Sequence, residues 1–117
     1  MKVLIVDDNP QIRQLLREYL PASASDIYEC SDGTEAMSSF REVRPDWVLM
    51  DQDMPEVDGI TAIRGIMAEF PAANICMVTA FDNEDLRAEA LAAGASGFVV
   101  KDKLYQIEDI LVSEMEH

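Results

Sequence analysis

Acidic side chains follow two apolar segments that have the composition of buried strands. Asp51 comes directly after residues 47–50, and the pair Asp7 and Asp8 follows residues 3–6 in the same way. Short apolar runs rich in branched residues favour buried strands. If these two strands are neighbours in a parallel sheet, their carboxyl ends meet at one edge and three carboxylates share a crevice. Because carboxylates repel each other in a partly dry site, such a crevice favours a divalent cation.

A lysine supplies the remaining charge of this predicted site. A divalent cation and Lys101 together carry three positive charges, which neutralise Asp7, Asp8 and Asp51. Oxygen ligation by few carboxylates, a backbone carbonyl and water suits Mg²⁺. Phosphoryl transfer needs an oxygen nucleophile in line and cations on the other phosphoryl oxygens. The sequence therefore predicts a magnesium-dependent phosphoryl-transfer site in which Asp51 attacks and Lys101 holds the transferred group.

Further polar residues stand at the ends of the later strands. Thr79 and Ala80 follow residues 75–78, and Lys101 follows residues 97–100. Each position has an ordinary interpretation on its own, since an acidic pair often caps a helix or forms a turn. The joint occurrence of three acids, a hydroxyl and a lysine at strand ends favours a functional site.

These strand ends are set by a regular alternation of strands and helices. The strand candidates are residues 3–6, 27–30, 47–50, 75–78 and 97–100. Apolar residues at helical spacing predict five core-facing helix faces between and after them: Ile12, Leu15, Leu16, Tyr19 and Leu20; Ala36, Met37, Phe40 and Val43; Ile60, Ile63, Ile66, Met67 and Phe70; Leu86, Ala90, Leu91 and Ala93; Leu104, Ile107, Ile110, Leu111 and Met115. Strict alternation predicts an α/β fold with a doubly wound, five-stranded parallel sheet.

Capping residues agree with this count of helices. Asn9 followed by Pro10 predicts the start of the first helix. Asp82 or Asn83 caps the fourth helix, and Gly94 ends it.

Composition limits the classes of function. The 117 residues, 49% hydrophobic, fit one domain over 1–117, and the net charge of −14 argues against nucleic acid or anionic membranes as partners. Neither a membrane span nor a signal peptide is evident, which predicts a cytoplasmic protein. Cys30 and Cys76 are expected to be buried or half-buried, reduced thiols. His117 is the single histidine and terminal, which argues against zinc and histidine-based catalysis.

The chain resembles a response-regulator receiver domain of two-component signalling over essentially its full length. The matching motifs are residues 6–8, 51–59, 78–80, 94–98 and 100–101. This resemblance implies a (βα)5 flavodoxin-like sandwich with strand order 2-1-3-4-5. It also implies that the chain is a signalling domain, not an enzyme with a separate substrate, that catalyses only its own phosphorylation and dephosphorylation.

The resemblance further implies roles for the acidic residues. Asp51 would accept a phosphoryl group from the phosphohistidine of a sensor histidine kinase or a phosphotransfer protein. Asp8 would ligate Mg²⁺ directly together with Asp51, Asp7 would act through a metal-bound water, and Asp53 would contribute its backbone carbonyl.

The remaining motif residues would bind and report the phosphoryl group. The Thr79 hydroxyl and the Ala80 amide would bind phosphoryl oxygens, and Lys101 would pair with one of them. Thr79 and Phe98 would form the switch that alters a protein-interaction face. Whether the chain forms a homodimer on phosphorylation is an open question.

One position departs from the common receiver pattern. Many receivers have proline after the lysine, often with a cis peptide bond, whereas Asp102 follows Lys101 here. A non-proline cis bond costs about 2.5–4 kcal/mol, so the geometry of this bond is an open question. Lysine followed by aspartate is similar to receivers that carry a helix-turn-helix output domain and regulate transcription, and this chain contains no such domain.

Two other functions fit parts of the pattern. Asp51-Gln52-Asp53 matches the Asp-x-Asp pattern of haloacid-dehalogenase-type phosphatases, but that motif usually follows their first strand, and Asp7 and Asp8 would have no role. A pseudo-receiver that works without phosphorylation usually lacks the acceptor or the lysine, and this chain has both.

Overall fold

Strands and helices alternate strictly along the chain in the computed structural model, which describes residues 1–115. The strands are β1 (Lys2–Val6), β2 (Asp26–Cys30), β3 (Trp47–Asp51), β4 (Ile75–Thr79) and β5 (Gly97–Val100). The helices are α1 (Pro10–Glu18), α2 (Gly33–Val43), α3 (Gly59–Glu69), α4 (Glu84–Ala93) and α5 (Gln106–Met115), with a 3-10 turn at Lys101–Lys103.

The five strands form one parallel sheet in the order β2-β1-β3-β4-β5. This confirms the predicted doubly wound fold and strand order. In the register, Val6 pairs with Met50 and Asp51 pairs with Val78. The carboxyl ends of β1, β3 and β4 therefore lie side by side, which brings the residues that follow them to one edge.

The two faces of the sheet bury separate apolar clusters. Alternate β1 residues serve both, with Val3 and Ile5 on the face that α1 and α5 cover. Leu4 and Val6 face the cluster that α2, α3 and α4 cover. β3 and β4 are buried along their whole length, as expected for central strands of a parallel sheet. The strands that carry Asp51 and Thr79 are thus anchored in the core on both faces.

Capping follows the predicted residues. The Asn9 side chain accepts from the main-chain N–H groups of Gln11 and Ile12, and Asn83, not Asp82, caps α4. Gly94 ends α4 at φ 116°, a left-handed conformation that favours glycine.

Some apolar positions predicted to face the core are instead exposed. Leu91 is 50% exposed, because the adjacent Ala90 takes the buried position of α4 and Leu91 is turned away from it. Leu15 and Tyr19 are each 37% exposed, and Tyr19 lies just beyond the end of α1. Helical spacing predicted too many buried positions here, because a short helix on a sheet buries only a narrow face.

Other expectations concern the cysteines and the membrane. Cys30 and Cys76 are buried and free, as predicted. None of the helices that the structure describes is long and apolar enough to cross a bilayer. His117 lies outside the described residues.

Candidate functional site

Three carboxylates meet at the carboxyl edge of the sheet, as the sequence predicts. Asp7, Asp8 and Asp51 each place a carboxylate oxygen within 4.8 Å of the others. Asp7 and Asp51 are buried, at 1% and 5% exposure, whereas Asp8 is exposed. Asp51 is the last residue of β3, and the other two follow β1, so the neighbouring strands impose this proximity.

Lys101 reaches the same crevice from the end of β5. Its Nζ lies 3.1 Å from Asp51 Oδ1 and 3.1 Å from Asp7 Oδ2. Every peptide bond of the described residues is trans, including the one between Lys101 and Asp102. The chain enters the 3-10 turn at Lys101, and the lysine reaches the carboxylates without a cis bond.

The electrostatics of the crevice favour an added cation. Burial raises the pKa of Asp51 to about 6, with a further contribution from the Asp7 carboxylate, and the Lys101 ammonium opposes this only in part. Burial alone would lower the pKa of Lys101, but the Asp51 and Asp7 carboxylates outweigh it and raise the pKa. One ammonium group therefore stabilises the acidic cluster incompletely.

One oxygen of the Asp7 carboxylate is suited to ligate a metal ion. Its Oδ1 accepts from the Asn9 main-chain N–H at 2.9 Å. Its Oδ2 is buried and, among the described residues, lacks an aligned hydrogen-bond donor, although it lies beside the Lys101 ammonium. A buried carboxylate oxygen without a hydrogen bond is costly, and a divalent cation among oxygen ligands would remove that cost.

The loop after β3 is held against the end of that strand by Gly59. The Gly59 N–H donates to the Gln52 carbonyl at 3.0 Å, and the Ile60 N–H donates to Gln52 Oε1 at 3.0 Å. A Cβ at Gly59 would lie 2.2 Å from the Asp51 carbonyl oxygen, so the close approach requires glycine. This packing fixes the loop that carries Asp53, whose side chain is exposed.

Thr79 ends β4, next to β3, and is 1% exposed. Its Oγ1 accepts from the Phe81 main-chain N–H at 3.2 Å, while Ala80 between them is exposed. Asp7, Asp51 and Thr79 are the buried polar residues of the part of the chain that the structure describes. The polar groups of the interior are therefore concentrated at this one edge.

Phe98 lies on β5 and is 5% exposed. Its ring packs in the same apolar cluster as Met77 and Ala90. The guanidinium of Arg87, from α4, covers the ring at 4.5 Å from its centroid. The sequence reasoning did not identify Arg87, because an exposed helix arginine shows its partner only in three dimensions.

A second arginine that the sequence reasoning missed touches the site itself. Arg13 Nη1 donates to the Asp7 main-chain carbonyl at 2.6 Å. Its place one turn after the Asn9 cap is the only sequence signal, since that position can reach back to the preceding loop.

The comparisons with known proteins agree with this geometry. The family model described as the response regulator receiver domain matches residues 3–111. The chain is 39% identical over 101 residues to the chemotaxis protein CheY of Thermotoga maritima, which covers 86% of this chain and 84% of that protein. It is 40% identical over 105 residues to the uncharacterized transcriptional regulatory protein YhcZ of Bacillus subtilis. That match covers 87% of this chain and spans about half (49%) of YhcZ.

Solved structures give the same result. The CheX-CheY-BeF3-Mg+2 complex from Borrelia burgdorferi matches at a TM-score of 0.90 and 29% identity, covering 98% of this chain and 89% of that one. A LuxR-family two-component response regulator from Aurantimonas sp. SI85-9A1 matches at 0.86 and 34% identity, covering 96% and 85%. The family match, the strand order and the placement of the acidic residues lead to one conclusion: the chain belongs to the response regulator receiver domain family.

Proposed function

We propose that Asp51 is the phosphoacceptor of this receiver domain and takes its phosphoryl group from a phosphohistidine on a sensor histidine kinase or a phosphotransfer protein. The observation that carries the proposal is the contact of the Lys101 ammonium with both buried carboxylates, 3.1 Å from Asp51 and 3.1 Å from Asp7. A phosphoryl group on Asp51 would form beside a fixed positive charge. We assign the domain to residues 1–117.

Asp7, Asp8 and Asp51, with the Asp53 carbonyl, would hold Mg²⁺ at the crevice. When bound, the ion would neutralise charge on the phosphoryl oxygens and on the acidic cluster. The Asp51 carboxylate must be ionised to attack phosphorus, and its pKa of about 6 leaves a protonated fraction in mildly acidic solution. A cation at the site would favour the ionised, nucleophilic form.

Lys101, Thr79 and the Ala80 amide would bind the oxygens of the transferred group. The Thr79 oxygen accepts from the Phe81 N–H at 3.2 Å, which leaves its O–H available to donate to a phosphoryl oxygen. Removing these donors would weaken the electrostatic stabilisation of the developing charge. The domain would thus catalyse only its own phosphorylation and dephosphorylation.

Thr79 and Phe98 would carry the signal away from the site. Phe98 is buried in this structure, under the Arg87 guanidinium. A phosphoryl group that draws the Thr79 hydroxyl toward Asp51 would change the packing between β4 and β5, and so the population of this buried arrangement. The output would be the face formed by α4, β5 and α5.

The proposed setting is a cytoplasmic two-component pathway that regulates transcription. The matched relatives include a transcriptional regulatory protein about half of which this chain spans, so DNA binding would belong to a separate output domain and not to this acidic chain. A homodimer formed on phosphorylation would be one route from the receiver to such an output.

Intact-mass spectrometry with a small phosphodonor such as acetyl phosphate tests this proposal. The wild type should gain one phosphoryl group in Mg²⁺ and none in EDTA, and Asp51→Asn should gain none. A normal gain by Asp51→Asn would refute the acceptor assignment. Steady turnover of a generic phosphomonoester would instead favour the phosphatase alternative.

A further inference from the structure

Arg13 links the acidic loop to the edge strand of the sheet. Its Nη1 donates to the Asp7 carbonyl at 2.6 Å, and its Nε donates to Glu29 Oε1 at 2.8 Å. The side chain is only 18% exposed. Glu29 lies on β2 and pairs with Ile5 of β1, on the face of the sheet that α1 covers. One guanidinium therefore joins α1, β2 and the loop after β1.

Glu29 holds this guanidinium together with a second arginine. Arg17, one turn further along α1, donates to Glu29 Oε2 through Nε at 2.9 Å and Nη2 at 2.6 Å. Burial alone would raise the pKa of Glu29, but the hydrogen bonds from Arg17 and Arg13 outweigh it, so the pKa is lowered. The carboxylate is ionised at neutral pH and anchors both arginines.

The contact with the Asp7 carbonyl fixes the peptide between two of the site's acids. A peptide is planar, so holding the Asp7 oxygen also sets the direction of the Asp8 N–H and the starting geometry of the Asp8 side chain. Asp7 is held at two further points, because its N–H donates to the Cys30 carbonyl at 3.2 Å and its Oδ1 accepts from Asn9. The other oxygen, Oδ2, lies at the crevice beside the Lys101 ammonium, 3.1 Å from its Nζ.

We propose that Arg13 is a positioning residue for the acidic site, held in place by Glu29, that orients the Asp7–Asp8 peptide so that both carboxylates face the crevice. The proposal rests on the proposed function, since it assumes that these carboxylates bind Mg²⁺. Arg13 touches neither the ion nor the phosphoryl group. Its effect is on metal affinity, in the way that groups supporting metal ligands commonly act.

Charge alone does not explain this arrangement. A lysine at position 13 would keep the positive charge, but its single ammonium cannot reproduce the planar fork that serves Glu29 and the Asp7 carbonyl at once. Arg17 gives a matched control, because it binds the same carboxylate from the same helix and directs its hydrogen bonds to Glu29 alone among the described residues.

The test is titration of the metal-free protein with MgCl2, followed by the amide NMR signals of Asp8 and Asn9. Arg13→Lys and Arg13→Gln should each raise the Mg²⁺ dissociation constant about tenfold, and Arg17→Lys and Arg17→Gln should stay within about twofold of wild type. In the metal-free state, the Asn9 amide should exchange with solvent faster in the Arg13 variants only. Glu29→Gln should weaken Mg²⁺ binding in the same direction as Arg13→Lys.

Two results would overturn the proposal. If Arg13→Lys binds Mg²⁺ with wild-type affinity, Arg13 contributes only its charge. If the Arg13 and Arg17 variants lose Mg²⁺ affinity equally, Arg13 only stabilises the packing of α1 against β2. Failure of the proposed function is distinguishable, because wild type itself would then neither bind Mg²⁺ at these residues nor gain a phosphoryl group.

Discussion

Removing the Asp51 carboxylate should stabilise the metal-free protein, although the same change removes its proposed activity. The folded-state pKa of Asp51 is about 6, against an ordinary value of 3.8, mainly because the carboxylate is buried. At about 1.4 kcal/mol per pKa unit, this rise costs the folded state about 3 kcal/mol when Asp51 is ionised. An asparagine side chain has the size of the protonated acid and no charge, so Asp51→Asn should avoid the cost.

The pH dependence follows from the direction of the shift. Because the folded state binds the proton more tightly than the unfolded chain, this group favours folding fully only below pH about 3.8, and the contribution is lost as pH rises through about 6. The advantage of Asp51→Asn should therefore be about 3 kcal/mol at neutral pH and shrink to well under about 1 kcal/mol near pH 4. Lys101 should still have a carboxylate partner in the variant, because its Nζ also lies 3.1 Å from Asp7 Oδ2.

Urea unfolding in EDTA, at neutral pH and near pH 4, measures this difference directly. The control is Asp102→Asn, which removes one negative charge from an exposed position of the same highly acidic chain. Mg²⁺ at about 100 times its dissociation constant should stabilise wild type by about 2.7 kcal/mol. This would remove most of the difference in unfolding free energy between wild type and Asp51→Asn. A gain no larger than that of Asp102→Asn, or one that does not change with pH, would refute the reasoning.

Four further substitutions give three separate tests, with Gly65→Ala as the control for Gly59→Ala. Gly59→Ala should lower the free energy of unfolding by about 2 kcal/mol or more, because its Cβ would meet the Asp51 carbonyl oxygen at 2.2 Å. Gly65→Ala in the same helix, where the nearest atom is Met37 Cε at 3.4 Å, should be neutral or stabilising in the same urea unfolding measurement. Phe81→Ala should shorten the lifetime of the phosphorylated protein about tenfold, a barrier change of about 1.4 kcal/mol. The reason is that the half-exposed ring at the edge of the site excludes water. An unchanged rate of single-turnover decay after donor removal would contradict this. Thr79→Ala should still gain a phosphoryl group but lose the amide shift changes around Phe98; shift changes equal to wild type would contradict the proposed switch.

Much of the site could be predicted because strand ends are encoded locally. Asp51, Thr79 and Lys101 each come directly after an apolar run. Because the strands are parallel neighbours in one sheet, these residues lie at the same edge. The close contact of Gly59 with β3 could not be derived, since it depends on the path of the loop between them.

The contacts of two arginines could not be predicted from the sequence. Arg13 and Arg87 are helix residues whose partners are set by how α1 and α4 dock on the sheet. Leu91 shows the opposite error, since it was predicted to be buried and is exposed. Helical spacing marks a set of apolar positions that is wider than the face α4 buries. Docking geometry, and not residue type, decides each of these cases.

The central claim is that the phosphoryl group is carried on the Asp51 carboxylate. Borohydride reduces an aspartyl phosphate to homoserine, so reduction after treatment with a phosphodonor and Mg²⁺, followed by peptide mass mapping, identifies the modified residue. We expect homoserine at position 51, and none when Mg²⁺ is removed. Homoserine at any other aspartate, or phosphorylated protein that yields none at position 51, would contradict it.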